Sequence, residues 1–315
     1  MRKLVMALLL LVIGAVAAVG VILTWDHIEV RREGAPVPTA ADVAAVGKSG
    51  DGPVRLSWID TARQRMPRSA VLDVAKDPTP DAPYLMSHPS FVLEWADGRL
   101  LLVDVGMTHD GAVKFGELIG MLGTAEPMEP LRATADALGA ARSRVGGVIF
   151  THLHEDHTGG LDALCSGGPA AVPIFMTPAQ QDVVNYTTRA SRDAVMHAPC
   201  ARPTRLEGGS LLDVPGFPGV AVFHAAGHTP GSQIVFARVA GKTYAFIGDI
   251  VNNGDGITHD IPKPYYYSLL IVPESTERLQ ALREYLRDLG TRAGVTLLVS
   301  HDEQQIRSTG IPEWK

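Results

Sequence analysis

The stretch THLHEDHTGG, residues 151–160, places His152, His154, Asp156 and His157 within six positions and uses three of the chain's eleven histidines. Neutral imidazole and carboxylate are the usual protein ligands for zinc and similar divalent ions. The apolar run VGGVIF, residues 145–150, leads directly into the cluster and reads as a buried strand that delivers it at its end. In an extended segment residues i and i+2 point the same way, so His152 and His154 can grip one ion together. Asp156 and His157 are adjacent and diverge where Thr158-Gly159-Gly160 lets the chain turn into a helix, so they reach a different point. The spacing implies two ions a few ångströms apart. Each needs about three protein ligands plus a position for water, which is more than this stretch holds.

Three further places offer ligands in the same setting, at or near the end of an apolar strand. AVFHAAGHTPGS offers His228, AFIGDIV offers Asp249, and LLVSHDE offers His301, with Asp302 beside it as a candidate to orient the ring. The remaining order of elements is alternating. FVLEW, ADG and RLLLVDVG read as a hairpin turning at Asp97-Gly98. Residues 131–141 and Pro178–Ala194 read as helices, and PIFMT, VAVFHAA, SQIVFARV, KTYAFIGD and VTLLVS as strands. TERLQALREYLRDLG spaces Leu279, Leu282, Leu286 and Leu289 as one helical face, with Gly290 as its stop. Strands and helices in this order, with polar ligands at strand ends, suggest layered sheets and helices in an α/β domain.

The motifs HLHEDH, GHTPGS, the later GD and the final SHD, in that order over residues 54–305, resemble the metallo-β-lactamase-fold hydrolases. The resemblance implies an αββα four-layer sandwich with a two-metal site on one edge, most simply two Zn2+. Carried over residue by residue, it implies that His152, His154 and His228 hold one ion. Asp156, His157 and His301 would hold the other, with Asp249 bridging. Asp104, ending LLVDVG, matches an aspartate that supports the site from behind the ligands. Asp156 and Asp249 are then the candidate catalytic residues. Hydroxide drawn from a water shared by the ions would attack an ester, lactone, thioester or amide carbonyl, and Asp156 would carry the proton to the leaving atom.

Within that superfamily the ending SHDEQQ resembles the N-acyl homoserine lactonases, which favours a lactone or ester as the small-molecule substrate. One departure stands against it: the lactonases carry Tyr three residues after the bridging Asp, and this chain has Asn252 there, unless one of Tyr265 to Tyr267 substitutes. A glyoxalase II-like thioesterase is the alternative, and a membrane-anchored binding protein on a dead hydrolase scaffold is the rival from another class. His109, His197, His224 and His259 have no motif behind them.

Composition bounds the rest. A net charge of −6 argues against nucleic acid as partner, since neutralising phosphate calls for a basic surface. Residues 4–25, LVMALLLLVIGAVAAVGVILTW, follow Arg2 and Lys3. About 22 apolar residues at about 1.5 Å each reach about 33 Å, enough to cross a bilayer core. Residues 1–25 therefore read as a transmembrane anchor or, through Ala15-Val16-Ala17, as a cleaved signal peptide. Either exports the domain beyond the cytoplasm. Residues 26–53, rich in Ala, Gly, Pro and charge, read as a linker, and 54–315 as the catalytic domain. An exported domain permits a disulfide between Cys165 and Cys200, with two unpaired cysteines as the alternative.

Overall fold

Alternation of apolar residues builds one sheet from each half of the chain. The structure, a computed structural model, describes residues 2–32, 34–48, 50–120 and 125–315; Met1 of the apolar segment and Glu33 and Ser49 of the linker lie outside them. Strands β1 (Arg55–Met66), β2 (Tyr84–Glu94), β3 (Leu100–Val103), β4 (Glu129–Pro130), β5 (Val145–Ile149), β6 (Val172–Met176) and β7 (Ala201–Arg205) form the first sheet, in the order β4-β1-β2-β3-β5-β6-β7. Strands β8 (Leu211–Asp213), β9 (Val220–His224), β10 (Gln233–Val239), β11 (Lys242–Phe246) and β12 (Thr296–Leu298) form the second, in the order β12-β11-β10-β9-β8.

Side chains two apart share a face, and the packing follows that period. Phe91, Leu93, Leu101, Val103 and Ile149 point between the sheets, where they meet Val222, Val235, Ala237 and Phe246. Val92, Leu100, Leu102 and Val148 point outward and are covered by Leu138, Leu161, Leu164 and Val195 from helices on that side. Across the second sheet, Leu279, Leu282, Leu286 and Leu289 of the helix Thr276–Arg292 cover Phe223, Phe236 and Ala245. The result is the expected αββα four-layer sandwich. It buries two β-rich faces on each other and one on each helix layer.

Local expectations hold where the signal is local. The β2–β3 hairpin turns at Asp97-Gly98, with Gly98 at φ 85° and its N–H donating to the Trp95 carbonyl at 2.9 Å. The helix expected over 131–141 is shorter, Thr134–Leu138, and passes at Gly139 into a 3-10 turn to Arg144. Gly290 does not stop its helix. The helix runs to Arg292, and Gly294 at φ 67° ends it, while the Val295 and Ala293 N–H groups cap the Leu289 carbonyl. The single helix expected over 178–194 is two, Pro178–Asp182 and Arg189–His197. Between them the Asn185 side chain accepts from the Thr187 hydroxyl (2.8 Å) and the Thr188 N–H (3.1 Å), a local alternative to helical hydrogen bonding.

The apolar N-terminal segment is one helix, Arg2–Arg32, long and apolar enough to cross a membrane, with residues 4–22 exposed. Past it, Thr39 and Asp42 form a reciprocal cap on the helix Ala40–Ala45, and Val43 and Val46 join the core under the second sheet.

Cys165 and Cys200 are joined in a disulfide, which ties the helix after the histidine motif to the start of β7. The closed loop spans 35 positions, and loop-closure entropy assigns such a bridge about 4 kcal/mol. Replacing both cysteines by serine should lower the midpoint of denaturant unfolding without altering its slope in proportion. An unchanged midpoint would show that the bridge contributes nothing to stability.

Candidate metal centre

Each ligand predicted from the sequence emerges at the same edge of the two sheets. His152 and His154 follow β5, and His154 is the N-cap of the short helix Glu155–Thr158 that carries Asp156 and His157. His228 lies in the turn between β9 and β10, after Gly227 at φ 88°. Asp249 follows β11 and His301 follows β12. Gly248, at φ 53°, lets the backbone before Asp249 lie against β5's end: a Cβ there would stand 2.8 Å from Thr151 Cβ.

The side chains converge as two donor sets. His154 Nδ1 lies 2.9 Å from His152 Nε2 and 3.2 Å from His228 Nε2. On the other side, His157 Nε2 lies 3.3 Å from His301 Nε2 and 3.3 Å from Asp249 Oδ1. Asp156 Oδ2 is 3.4 Å from His301 Nε2 and 3.7 Å from His157 Nε2. Asp249 stands between the sets, with Oδ2 at 3.0 Å from His301 Nε2, 3.6 Å from His228 Nε2 and 4.0 Å from His152 Nε2.

The partners on the far side of each ring fix which nitrogen carries the proton. His157 Nδ1 donates to Asp104 Oδ2 (2.9 Å), His301 Nδ1 to the Ser87 carbonyl (2.8 Å), and His228 Nδ1 to Glu274 Oε1 (2.6 Å). Thr187 spends its hydroxyl proton on Asn185, so it accepts from His154 Nε2 at 2.9 Å. Thr151 spends its own on Asp104, so at 3.3 Å it accepts from His152 Nδ1. In its neutral form each ring therefore turns a lone pair inward. Five lone pairs and the carboxylates face each other at about 3 Å, an arrangement that repels itself unless a cation is shared. Asp249 Oδ1 is buried and has no hydrogen-bond partner, as a ligand oxygen would be. The donor set and its outer hydrogen bonds fit divalent cations such as zinc.

Electrostatics divide the two sets. Burial holds His154 down at about 3 and His152 well below the ordinary imidazole range, with neighbouring imidazoles adding to it. For His157 burial works the same way, but Asp156, Asp104 and Asp249 overcome it and raise the pKa well above its usual value. His301 is raised too, by Asp249 and Asp156 against burial. Asp156 and Asp249 stay ionised although burial opposes it, because imidazoles surround them. The second set thus demands positive charge, from protons or from a metal.

Several contributors had no sequence signal. His88, inside β2, donates from Nδ1 to Asp156 Oδ2 at 3.1 Å and packs against the His301 ring; its own Nε2 is buried without a partner. Glu274, which holds His228, also accepts from Lys263 Nζ (2.7 Å) and from the Ser268 hydroxyl. Lys263 Nζ donates onward to the Asp249 carbonyl at 2.7 Å. Asp104 supports the site as expected, accepting from the Thr151 N–H at 2.7 Å as well as from His157. Asp302 does not orient His301. It caps the helix Glu303–Ser308 through Gln305 N–H and holds Gly254 N–H, because its side chain points along its own helix end. Of the three tyrosines, Tyr265 and Tyr266 are exposed, while Tyr267 is half-buried with Lys263 Nζ 5.3 Å over its ring. His109, His197, His224 and His259 join neither donor set; His224, for instance, pairs with the Pro230 carbonyl at 2.8 Å.

The profile of the metallo-beta-lactamase superfamily matches residues 84–301. The chain belongs to that superfamily. A curated N-acyl homoserine lactonase from Bacillus sp. is 27% identical over 150 residues, 45% of this chain; the match spans 55% of that lactonase's length. Among solved structures, an N-acyl homoserine lactone hydrolase with N-hexanoyl-L-homoserine at its catalytic metal centre is similar, with TM-score 0.60 and 19% identity over 82% of this chain and 96% of that one. An AiiA variant from B. thuringiensis with bound N-decanoyl-L-homoserine superposes equally, at TM-score 0.60 and 19% identity over 82% and 96%. AidC, a dizinc quorum-quenching lactonase, follows at TM-score 0.55 and 13% identity over 81% and 91%. These relatives and neighbours are lactonases, one of them described as dizinc.

Outer partners of metal-binding histidines typically set affinity by about 10–100-fold. Glu274→Gln should weaken zinc at the His152-His154-His228 set by that factor, and His88→Leu should weaken it at the set containing Asp156. Competition with a chromophoric chelator would separate the two; equal affinities in both variants and wild type would show that these contacts only pack the site.

Proposed function

We propose that the chain is a membrane-anchored, dinuclear zinc hydrolase that opens a lactone or ester carbonyl. The observation that carries this is the pair of lone-pair sets on either side of Asp249, whose two oxygens address both. His152, His154 and His228 would hold one ion, Asp156, His157 and His301 the other, and Asp249 would bridge. Bound there, the ions supply hydroxide from water near neutral pH and polarise a carbonyl oxygen.

The chain's own groups do the rest. Asp156, ionised and held by His88 at 3.1 Å, would accept the proton given up by the attacking water and pass it to the leaving oxygen. Tyr267 takes the part of the tyrosine missing at Asn252. Burial first, then the charges of Glu274, Asp249 and Asp156, push its phenol well above its usual pKa, so it remains a donor and can hold the carbonyl oxygen. The relatives, N-acyl homoserine lactonases, favour a lactone among the carbonyl compounds.

The anchor reading draws on the helix Arg2–Arg32, which continues past the apolar run into contact with the domain: Asp26 and Val30 are buried there. A cut after Ala17 would leave an apolar stub exposed on the domain. The disulfide suits an oxidising compartment outside the cytoplasm.

Proton release on a pH-stat from zinc-loaded protein, with a long-chain acyl homoserine lactone as substrate, should be rapid in wild type and absent in Asp249→Ala. No release from fully metallated wild type would sink the lactonase reading and turn the measurement to thioesters and simple esters. Tyr267→Phe should retain its zinc and lose about 10²-fold in kcat. Wild-type turnover in that variant would return Tyr267 to a packing role.

A further inference from the structure

The two segments that rim the metal centre are the same two that grip the end of the apolar helix. His27 Nε2 lies 3.2 Å from the Leu269 carbonyl, and Asp26 Oδ2 accepts from the Tyr186 N–H at 3.2 Å. One residue on from Tyr186, Thr187 holds His154. Two residues before Leu269, Tyr267 lies beneath Lys263, whose Nζ donates to the Asp249 carbonyl, and Ser268 holds Glu274. The segments are also tied to each other, since the Tyr186 hydroxyl donates to the Leu270 (3.1 Å) and Ile271 (2.6 Å) carbonyls. Residues Tyr267–Ile271 form a π-helical turn, a geometry that places successive side chains outside the regular helical rows.

This rim leaves apolar side chains in solvent. Tyr265 is 74% exposed, Tyr266 54%, Leu270 54%, Tyr186 43% and Leu269 37%. A contiguous exposed patch of this kind marks an interaction surface. What covers it follows from its height on the helix. His27 is two residues past Trp25, the last residue of the apolar run, and at 1.5 Å per residue that is roughly 3 Å along the axis. A bilayer spanned by residues 4–25 therefore has its headgroup boundary at the level of the patch. Tyrosine and tryptophan are enriched at that boundary, where an amphipathic ring is half in lipid and half in water.

Resting on the anchored-hydrolase reading above, we infer that Tyr186, Tyr265, Tyr266, Leu269 and Leu270 seat the metal centre on the surface of the anchoring bilayer. The metal centre then receives amphiphilic carbonyl compounds laterally from the membrane: the acyl tail stays among lipid chains while the lactone or ester head reaches Tyr267 and the donor sets. Partition into the bilayer concentrates such a substrate, and a water-soluble short-chain ester gains nothing from it.

The test uses the full zinc-loaded chain in vesicles of palmitoyl-oleoyl phosphatidylcholine. Tyr265→Cys, Leu270→Cys and Asp97→Cys, the last in the β2–β3 turn at the far end of the sheet from the site, are each labelled with bimane; the native cysteines are joined in their bridge. Labels at 265 and 270 should be quenched by lipids spin-labelled high on the acyl chain and protected from aqueous iodide, and the label at 97 should show the reverse. If 265 and 270 behave like 97, the surface does not meet the membrane and the inference fails. Separately, Tyr265→Glu with Leu270→Glu should lower kcat/KM for a dodecanoyl lactone in the vesicles by about tenfold and leave a soluble butanoyl lactone unaffected. No loss, or equal loss on both substrates, would overturn lateral entry. If metallated wild type cleaves neither lactone, the lactone reading fails instead, and the quenching still decides whether the rim lies on the bilayer.

Discussion

The structure turns on one buried carboxylate. Asp104, at the end of β3, accepts from the Thr151 N–H, the Thr151 hydroxyl and His157 Nδ1, all within 3 Å. To do so its backbone adopts φ 58°, a left-handed conformation that costs a non-glycine residue of order 1 kcal/mol or more. In return one side chain binds β3 to β5's end, sets the proton of His157 and, by claiming the Thr151 proton, sets that of His152 as well. Glu274, Ser87 and Thr187 do the same for the other three rings from three separate elements. The inward lone pairs follow from this outer ring of acceptors, and the need for cations follows from the lone pairs.

That arrangement explains why the sheets must meet as they do. β3 and β5 run parallel, as do β11 and β12, so their carboxyl ends lie side by side in each sheet. Packing the inner faces together, with Phe91 edge-on to Phe246 at 5.0 Å between ring centres, brings the two edges together. The apolar core between the sheets is therefore the support that holds mutually repelling groups within about 3 Å. A looser core would let the rings part before an ion arrived.

The same economy extends to the N-terminal helix. The segments that break helical regularity, 183–188 through Asn185 and 267–271 through the π-turn, are those that reach the donor sets and the end of that helix together. Irregular backbone at these places serves two contacts at once. Lys263 adds a third link: buried against Glu274, it ties the ring of His228 to the Asp249 carbonyl and lies 5.3 Å over the Tyr267 ring.

The sequence by itself determined whatever is written in short-range pattern. The 152–157 cluster, its strand-then-ligand companions His228, Asp249 and His301, the Asp97-Gly98 hairpin and the apolar N-terminal run all rest on periodicity and on turns of a few residues. From them the layers, the edge that bears the site and the superfamily were legible. The tertiary structure alone decided the partners that lie far along the chain. His88 reads as a lone histidine between Ser87 and Pro89, and its contact with Asp156 spans 68 positions; Glu274 reads as one more acid before a helix, and it meets His228 across 46. The pairing of Cys165 with Cys200 and the seating of Tyr267 beneath Lys263, beside exposed Tyr265 and Tyr266, were open for the same reason. Local pattern fixes which way a side chain leaves the backbone, whereas its partner depends on how two sheets and their loops close on one another.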